Sequence, residues 1–172
     1  MLRRLAIAAA VIAVAAAAAG TTVAHPGDSQ GGTTQNVTWT INAGQCSQLP
    51  AGVSVNGTGT KTTTTRTATN RRGRRVVAYT ETATGTATDS TGATYTFDYA
   101  FSSITSGRRA PFRGIAVDSF DLIGADGKVA VHAFFTANIA VDASGEPSQF
   151  TPTYQAGDPL DFTTFTPHCD PL

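Results

Sequence analysis

The chain is poor in the short motifs that identify common metal sites and nucleotide-binding sites. Only two of its 172 residues are cysteine and three are histidine. They form no C-x-x-C pair and no histidine cluster, and no P-loop sequence is present. These absences argue against a zinc site and against a P-loop nucleotide-binding protein. We therefore predict neither a metal nor a cofactor.

Long hydrophobic runs are confined to the beginning of the chain. Arg3 and Arg4 precede an apolar run from Leu5 to Ala19, and small residues lead up to Ala24. This order is typical of a secretory signal peptide, and the run is too short for a membrane span. We predict that residues 1–24 are a signal peptide cleaved near Ala24, that the mature protein is secreted, and that it is not an integral membrane protein.

The two cysteines, Cys46 and Cys169, stand near the two ends of the folded part. In an exported protein such a pair is typical of a disulfide bond. Closing a loop of this length contributes roughly 4–5 kcal/mol on the chain-entropy model. We therefore predict that Cys46 and Cys169 are bonded to each other.

Neither sign of charge dominates the sequence. The whole chain has 12 basic and 12 acidic side chains, so the loss of Arg3 and Arg4 with the signal peptide leaves a net charge of about −2. A weakly acidic protein has no long-range attraction to the phosphate backbone of nucleic acids. We expect no nucleic-acid partner.

Helical periodicity is absent after the signal peptide, and strand patterns take its place. Residues 25–34 are polar and glycine-rich, which predicts a flexible tail. Val37, Trp39 and Ile41 then alternate with polar residues, as in a half-buried strand. Further strands are predicted in the segments 53–69, 76–88, 94–101, 115–123, 128–141, 149–154 and 161–166.

One turn predicts the register of the central hairpin. The segment 89–92, Asp-Ser-Thr-Gly, suits a type I turn followed by a glycine bulge. Counting outward from it places small residues opposite aromatic residues on one face and threonines on the other. The predicted pairs are Thr88–Thr94, Ala87–Tyr95, Gly85–Phe97, Ala83–Tyr99 and Glu81–Phe101. The same counting across the turn at 71–73 places Gly59 opposite Gly85.

Consecutive hairpins of this kind form an up-and-down antiparallel meander. Gly57, Gly59 and Gly85 fall on the inner face, where they accommodate strong curvature. Long strands with interior glycines favour a barrel over a flat sandwich. We predict an all-β fold, with residues 35–172 forming a single closed β-barrel of six to eight strands, closed further by the disulfide.

Arginines concentrate in two connections of this meander. Alternate turns of a meander lie at the same end, so the turn around 71–75 and the loop 107–113 are predicted neighbours. Guanidinium groups suit phosphate and carboxylate groups, although arginines at hairpin tips also serve solubility. We predict a secreted, non-enzymatic binding or cell-envelope-associated protein with an anionic partner, such as an envelope polymer, a lipid head group or a glycan. The predicted binding residues, the arginine rim, are Arg71, Arg72, Arg74, Arg75, Arg108, Arg109 and Arg113.

An alternative function uses the interior of the barrel. Depending on the length of the 125–127 turn, His132 lies opposite Asp121 or Phe120, and Asp118 lies opposite a phenylalanine. A carboxylate and an imidazole in an aromatic interior are suited to general acid–base catalysis. The alternative is therefore a small isomerase- or cyclase-like barrel enzyme, or a carrier of hydrophobic ligands, with His132, Asp118 and Asp121 as candidate catalytic residues.

Several segments carry a resemblance that spans most of the mature chain. They are LPAG (49–52), GTGT (57–60), GTATDSTGATYTFDY (85–99), DSFDLIG (118–124) and CDP (169–171). Together they resemble small uncharacterised exported proteins of high-GC Gram-positive bacteria. The resemblance implies export and a single β domain and brings no activity with it. Barrels of the allene-oxide-cyclase and dirigent type are similar in architecture only.

Overall fold

The computed structural model describes residues 29–172. The predicted signal peptide, residues 1–24, lies outside the described residues, and so do residues 25–28 of the predicted tail. Residues 29–34 are already part of a strand, because their main chain pairs with Thr62–Thr67 of the neighbouring strand. The first strand is therefore longer than its hydrophobic alternation indicates.

Seven strands form one antiparallel sheet in which every strand pairs with its neighbours in sequence. The predicted all-β meander is confirmed, and no helix occurs among residues 29–172. A second, two-stranded sheet lies near the end of the chain. The strands are β1 (Ser29–Ile41), β2 (Val55–Thr69), β3 (Arg75–Asp89), β4 (Thr94–Gly107), β5 (Phe112–Gly124), β6 (Val129–Val141), β7 (Pro147–Ala156), β8 (Leu160–Asp161) and β9 (Thr166–Pro167).

Four of the hairpin turns place a glycine at the same position, and the β3–β4 turn shows why. Gly92 adopts a φ of 91°, which only glycine adopts without strain. Asp89 Oδ1 accepts hydrogen bonds from the main-chain N–H groups of Thr91 and Ala93, at 2.8 and 3.0 Å. The turn is thus held by one carboxylate and one glycine. The glycines at the same position in the other three turns, each with positive φ, are Gly73, Gly127 and Gly145.

The predicted register of the β3–β4 hairpin is confirmed at each pair, from Thr88–Thr94 to Glu81–Phe101. Gly59 lies opposite Gly85, as predicted. Between β5 and β6 the structure selects one of the two predicted registers, since Asp121 lies opposite His132 and Asp118 opposite Phe135. A register shift after Leu122 accounts for the extra residue in β6.

The sheet is strongly curved. Strands in a sheet lie about 4.8 Å apart, so β1 and β5 would be about 19 Å apart if the sheet were flat. Their side chains nevertheless meet, because the rings of Trp39 and Phe120 are 5.4 Å apart. A Cβ atom at Gly57 would overlap the Trp39 indole, and one at Gly85 would approach Phe97 to 2.7 Å. These glycines therefore make room for the rings of Trp39 and Phe97.

A seam forms where the β1–β2 connection meets β6 through the side chain of Gln48. The strand order runs from β1 to β7, with no pairing between these two strands among the described residues. Closure into a barrel by main-chain pairing therefore stays a prediction. Beyond the end of β7, Gln48 accepts a hydrogen bond from His132 N and donates one to His132 O, both at 3.0 Å. The amide of Gln48 thus makes the two hydrogen bonds that a neighbouring strand would make to the main chain of His132.

The predicted disulfide is confirmed. Cys46 and Cys169 are bonded, with their Cα atoms 4.6 Å apart and a sequence separation of 123. Both cysteines are buried in the core. The bond ties the β1–β2 connection to the C-terminal segment and indicates folding in an oxidising environment. Within residues 29–172, no helix has the length and hydrophobicity that crossing a membrane requires.

Candidate functional site

The two arginine-bearing connections lie at the same end of the sheet. Arg75, the first residue of β3, pairs with Gly107, the last residue of β4. Arg74 Nη2 donates a hydrogen bond to Ser106 Oγ at 3.1 Å. The β2–β3 turn and the β4–β5 loop are therefore neighbours, as the meander predicts.

The β2–β3 turn presents its arginines around an open hollow. Asn70 Oδ1 accepts hydrogen bonds from the main-chain N–H groups of Arg72 and Arg74, which fixes the turn. The hollow has a volume of about 520 Å³ and combines amide, guanidinium and hydroxyl groups. These groups donate hydrogen bonds, so the hollow suits an anion. Its lining residues are Asn70, Arg71, Arg72, Arg74 and Ser106.

All seven side chains of the arginine rim are exposed. Within residues 29–172, none of them forms an ion pair with a carboxylate. The Arg75 guanidinium lies over the ring of Phe112, 5.7 Å from its centre, which is a cation–π contact. Most of the guanidinium hydrogen-bonding capacity at this end is therefore directed to solvent.

The β6–β7 connection brings acidic side chains to the same end of the meander. Asp142 Oδ1 accepts hydrogen bonds from the N–H groups of Ser144 and Glu146. The hydrogen bond from the Ser144 hydroxyl is the main cause that lowers the pKa of Asp142. Glu146 is exposed. These carboxylates reduce the positive potential on the β7 side of the rim.

His132 lies on the outer face of the sheet. Its Nδ1 atom is 2.6 Å from Asp121 Oδ1, its side chain is 50% exposed, and its ring stacks on Phe134. Asp118 is buried on the opposite, inner face. The expectation that His132 and Asp118 share the interior is therefore wrong. His132 and Asp121 form a cross-strand pair exposed to solvent, and Asp118 alone of the three candidate catalytic residues reaches the interior.

The inner face contains a cavity of about 250 Å³ near Asp118. A cross-strand row of residues forms its floor, because Glu81, Phe101, Asp118 and Phe135 lie directly opposite one another on β3, β4, β5 and β6. The C-terminal segment covers this row. The remaining lining residues are Tyr79, Tyr99, Pro159, Leu160, Pro167, Asp170 and Leu172.

Two buried carboxyl groups face this cavity. Burial, followed by the negative charge of Asp170, raises the pKa of Asp118 to about 9. Burial also raises the pKa of Asp170, although its Oδ1 atom accepts a hydrogen bond from Leu172 N at 3.1 Å. Two carboxyl groups in one buried site do not both ionise readily. Both carboxyl groups are therefore harder to ionise than an ordinary aspartate, and Asp118 stays protonated at neutral pH.

A third acid, Glu81, lies at the edge of the cavity, and one of its carboxylate oxygens is bonded to three side chains. Glu81 Oε1 accepts a hydrogen bond from the Tyr79 hydroxyl and one from Thr63 Oγ1 at 3.2 Å. Lys61 Nζ lies 3.4 Å from the same oxygen. Burial, aided by the bond to Glu81, raises the pKa of Tyr79 to about 12. Burial likewise raises the pKa of Tyr99, so both phenols are neutral at physiological pH.

The sequence interpretation missed Asp170, Tyr79 and Tyr99 as members of a site. Tyr79 and Tyr99 share the inner-face alternation that identifies the core, so a pattern of period two was available for them. Asp170 follows Cys169, and the predicted disulfide placed it near the first connection. No local pattern indicated that its carboxyl group would meet Asp118.

Comparison of the chain with protein-family models, curated proteins and solved structures finds no match. The resemblance to small exported proteins of high-GC Gram-positive bacteria stays a prediction.

Proposed function

We propose that this protein is a secreted binding protein that holds an anionic partner through its arginine rim. The proposal is carried by one observation: the β2–β3 turn and the β4–β5 loop meet at one end of the sheet, with Arg75 opposite Gly107. Convergence of two basic connections concentrates charge that a single hairpin tip would not supply. The oxidised Cys46–Cys169 bond agrees with action outside the reducing cytosol.

The chemistry of the rim favours phosphate or carboxylate groups. A guanidinium group presents a planar set of donors that matches either group with two parallel hydrogen bonds. Arg71, Arg72 and Arg74 surround a hollow large enough for such a group and its neighbouring atoms. A polymer or surface with repeated negative charges would engage this hollow and the 108–113 segment together.

Binding is tested with three probes that represent the three partner classes. They are a poly(glycerol phosphate) polymer, hyaluronate, and vesicles that contain phosphatidylglycerol. We expect binding of at least one probe to weaken at least about tenfold between low and physiological ionic strength, because exposed charges are screened over about 8 Å. Absence of salt-sensitive binding to all three probes would reject the proposal.

Variants identify the surface that binds. The double variants R71S/R72S and R108S/R109S should each remove most of the binding, while leaving the free energy of unfolding within about 0.5 kcal/mol. Lys128→Ser is the control, because Lys128 is an exposed cation in the turn at the other end of the strands. Glu146→Gln should strengthen binding, since it removes a negative charge beside the rim. Equal losses in R108S/R109S and Lys128→Ser would show that net charge, and not the rim, is responsible.

A further inference from the structure

The cavity on the inner face contains a buried acceptor without a partner. Asp118 is 7% exposed, and its Oδ1 atom is buried without a hydrogen bond. A buried polar atom left in this state lowers the stability of the fold, and more so if it is charged. The side chain lines the cavity of about 250 Å³. A ligand that donates a hydrogen bond to Asp118 Oδ1 would therefore recover this cost.

The charge at the cavity is also uncompensated. Within the described chain, neither Asp118 nor Asp170 forms an ion pair with a basic side chain. Lys61 is already paired with Glu81. The site is largely apolar, so a negative charge on either carboxyl group has no basic partner there. An unpaired buried charge is unfavourable, so a cation placed there is stabilised.

The remaining walls of the cavity are apolar. Phe101 and Phe135 form part of the sheet side, and Leu160 and Leu172 form part of the C-terminal side. Leu160 and Leu172 are half-buried, and Pro167 is exposed, so the cavity reaches solvent through the C-terminal segment. Ligand pockets commonly measure about 300–1,000 Å³, so this cavity admits a small molecule only.

We propose that this cavity binds a small apolar amine, with the protonated amino group between Asp118 and Asp170 and the apolar body against Phe101, Phe135 and Leu160. The site is independent of the arginine rim. It uses other residues, lies on the inner face of the sheet, and selects the opposite charge. A neutral or anionic molecule of the same shape would supply no positive charge to stabilise ionised Asp118 or Asp170.

The other ionisable groups that face the carboxyl pair favour the same ligand class. Tyr79 and Tyr99 stay neutral because burial raises the pKa of each phenol. Glu81 stays bound to Lys61. The Asp118–Asp170 pair is therefore the group whose proton a bound cation displaces. Affinity for the amine should rise between pH 5 and pH 8.

The experiment uses three probes of one shape, 2-phenylethylamine, 2-phenylethanol and 3-phenylpropanoate. Each is titrated into the disulfide-bonded protein by calorimetry and by NMR of the cavity residues. We expect the amine to bind at least about tenfold tighter than the alcohol, which corresponds to about 1.4 kcal/mol, and the carboxylate to bind most weakly. Equal affinities, tighter binding of the alcohol, or no binding of the amine at millimolar concentration would overturn the proposal.

A pair of double variants tests whether the amine binds in the cavity. Asp118→Asn with Asp170→Asn should weaken amine binding at least about tenfold and change alcohol binding little, because only the charge is lost. Asp98→Asn with Asp121→Asn is the matched control, since Asp98 and Asp121 are a cross-strand pair on the outer face with the same charge. An equal loss of amine binding in both double variants would overturn the proposal.

Leu160→Trp is a second variant that keeps both carboxyl groups. The larger ring fills the cavity from its half-buried C-terminal side, so binding of both the amine and the alcohol should disappear. This variant decides the outcome if the Asp118–Asp170 double variant fails to fold. Amine binding that survives Leu160→Trp would overturn the proposal, and its loss together with the preference for amine over alcohol supports it.

Discussion

The inner face of the curved sheet has two regions that are filled in different ways. Towards the β3–β4 turn, Trp39, Phe97 and Phe120 pack edge to face and stack, with centroids 5.2–6.2 Å apart. We call these residues the aromatic core. Around Asp118, the next residues along the same strands surround a cavity with buried carboxyl groups. One region is closely packed around aromatic rings and contains one unpaired N–H group, that of Trp39, and the other combines an unpaired carboxyl oxygen of Asp118 with empty space.

The comparison indicates which region stabilises the fold and which region binds a ligand. Close-packed aromatic rings contribute to stability and leave no room for a ligand. Buried carboxyl groups beside a cavity cost stability, and such costs are retained mainly at functional sites. The aromatic core is therefore expected to hold the fold together, and the cavity region to bind.

The largest expected effect on the free energy of unfolding comes from removing an aromatic ring from the aromatic core. Phe120 is fully buried and contacts both Trp39 and Phe97. Phe120→Ala should lower the free energy of unfolding by about 3–5 kcal/mol, because it creates a new cavity in a packed region. Phe101→Ala should cost only about 1–2 kcal/mol, because Phe101 is half-buried and already borders empty space. Denaturant unfolding measures both values, and equal losses would contradict the distinction between the two regions.

The second effect concerns the disulfide, which holds the C-terminal segment over the cavity. Replacing Cys46 and Cys169 by alanine should cost about 2–4 kcal/mol, since a closed loop of 123 residues is released. Amide hydrogen exchange should accelerate first around Asp170 and Leu160, while Phe97 and Phe120 stay protected until global unfolding. Uniform acceleration along the chain would show that the two regions unfold as one unit.

The third effect is the contribution of the cavity region to the dependence of stability on pH. The pKa of Asp118 is raised in the folded protein, to about 9 from an ordinary value of 3.8, chiefly by burial. The folded state therefore keeps a proton that the unfolded state loses above about pH 4, so the contribution of Asp118 to stability is greatest at low pH and falls as the pH rises towards 9. Each proton that the folded state retains and the unfolded state has lost lowers stability by about 1.4 kcal/mol per pH unit, so stability should decline measurably between pH 5 and pH 8.

Asp118→Asn should flatten this decline, since asparagine has no proton to lose. The measurement is the difference between the stability curves of the native protein and the variant, which isolates the contribution of Asp118. Asp98→Asn is the control, because Asp98 is exposed on the outer face. Parallel curves for the native protein and Asp118→Asn would rule out Asp118 as the source.

The sequence predicts the aromatic core far better than the cavity region. Turn glycines at 73, 92 and 127, together with the alternation of small and aromatic residues, determine the register that brings Phe97 beside Gly85. The same alternation in β6 already places His132 outside, because Val131 and Ala133 point inward; the interior role for His132 conflicted with that pattern. Asp170 was beyond prediction, because the segment after β7 has no periodic pattern and its position depends on tertiary contacts with β5.

The smallest expected effect on stability tests the seam formed by Gln48 and the main chain of His132. Gln48 bonds the main chain of His132 through both atoms of its amide and also donates to Gly157 O at 2.8 Å. Gln48→Ala should cost about 1 kcal/mol, because the edge of β6 at His132 then pairs only with water. Gln48→Glu should cost at least as much, since a carboxylate accepts from His132 N but cannot donate to His132 O. The loss should appear as faster amide exchange at His132, with the aromatic core unchanged. If Gln48→Ala instead loosens Trp39 and Phe120, the seam supports the core directly, and the two regions are less independent than their packing indicates.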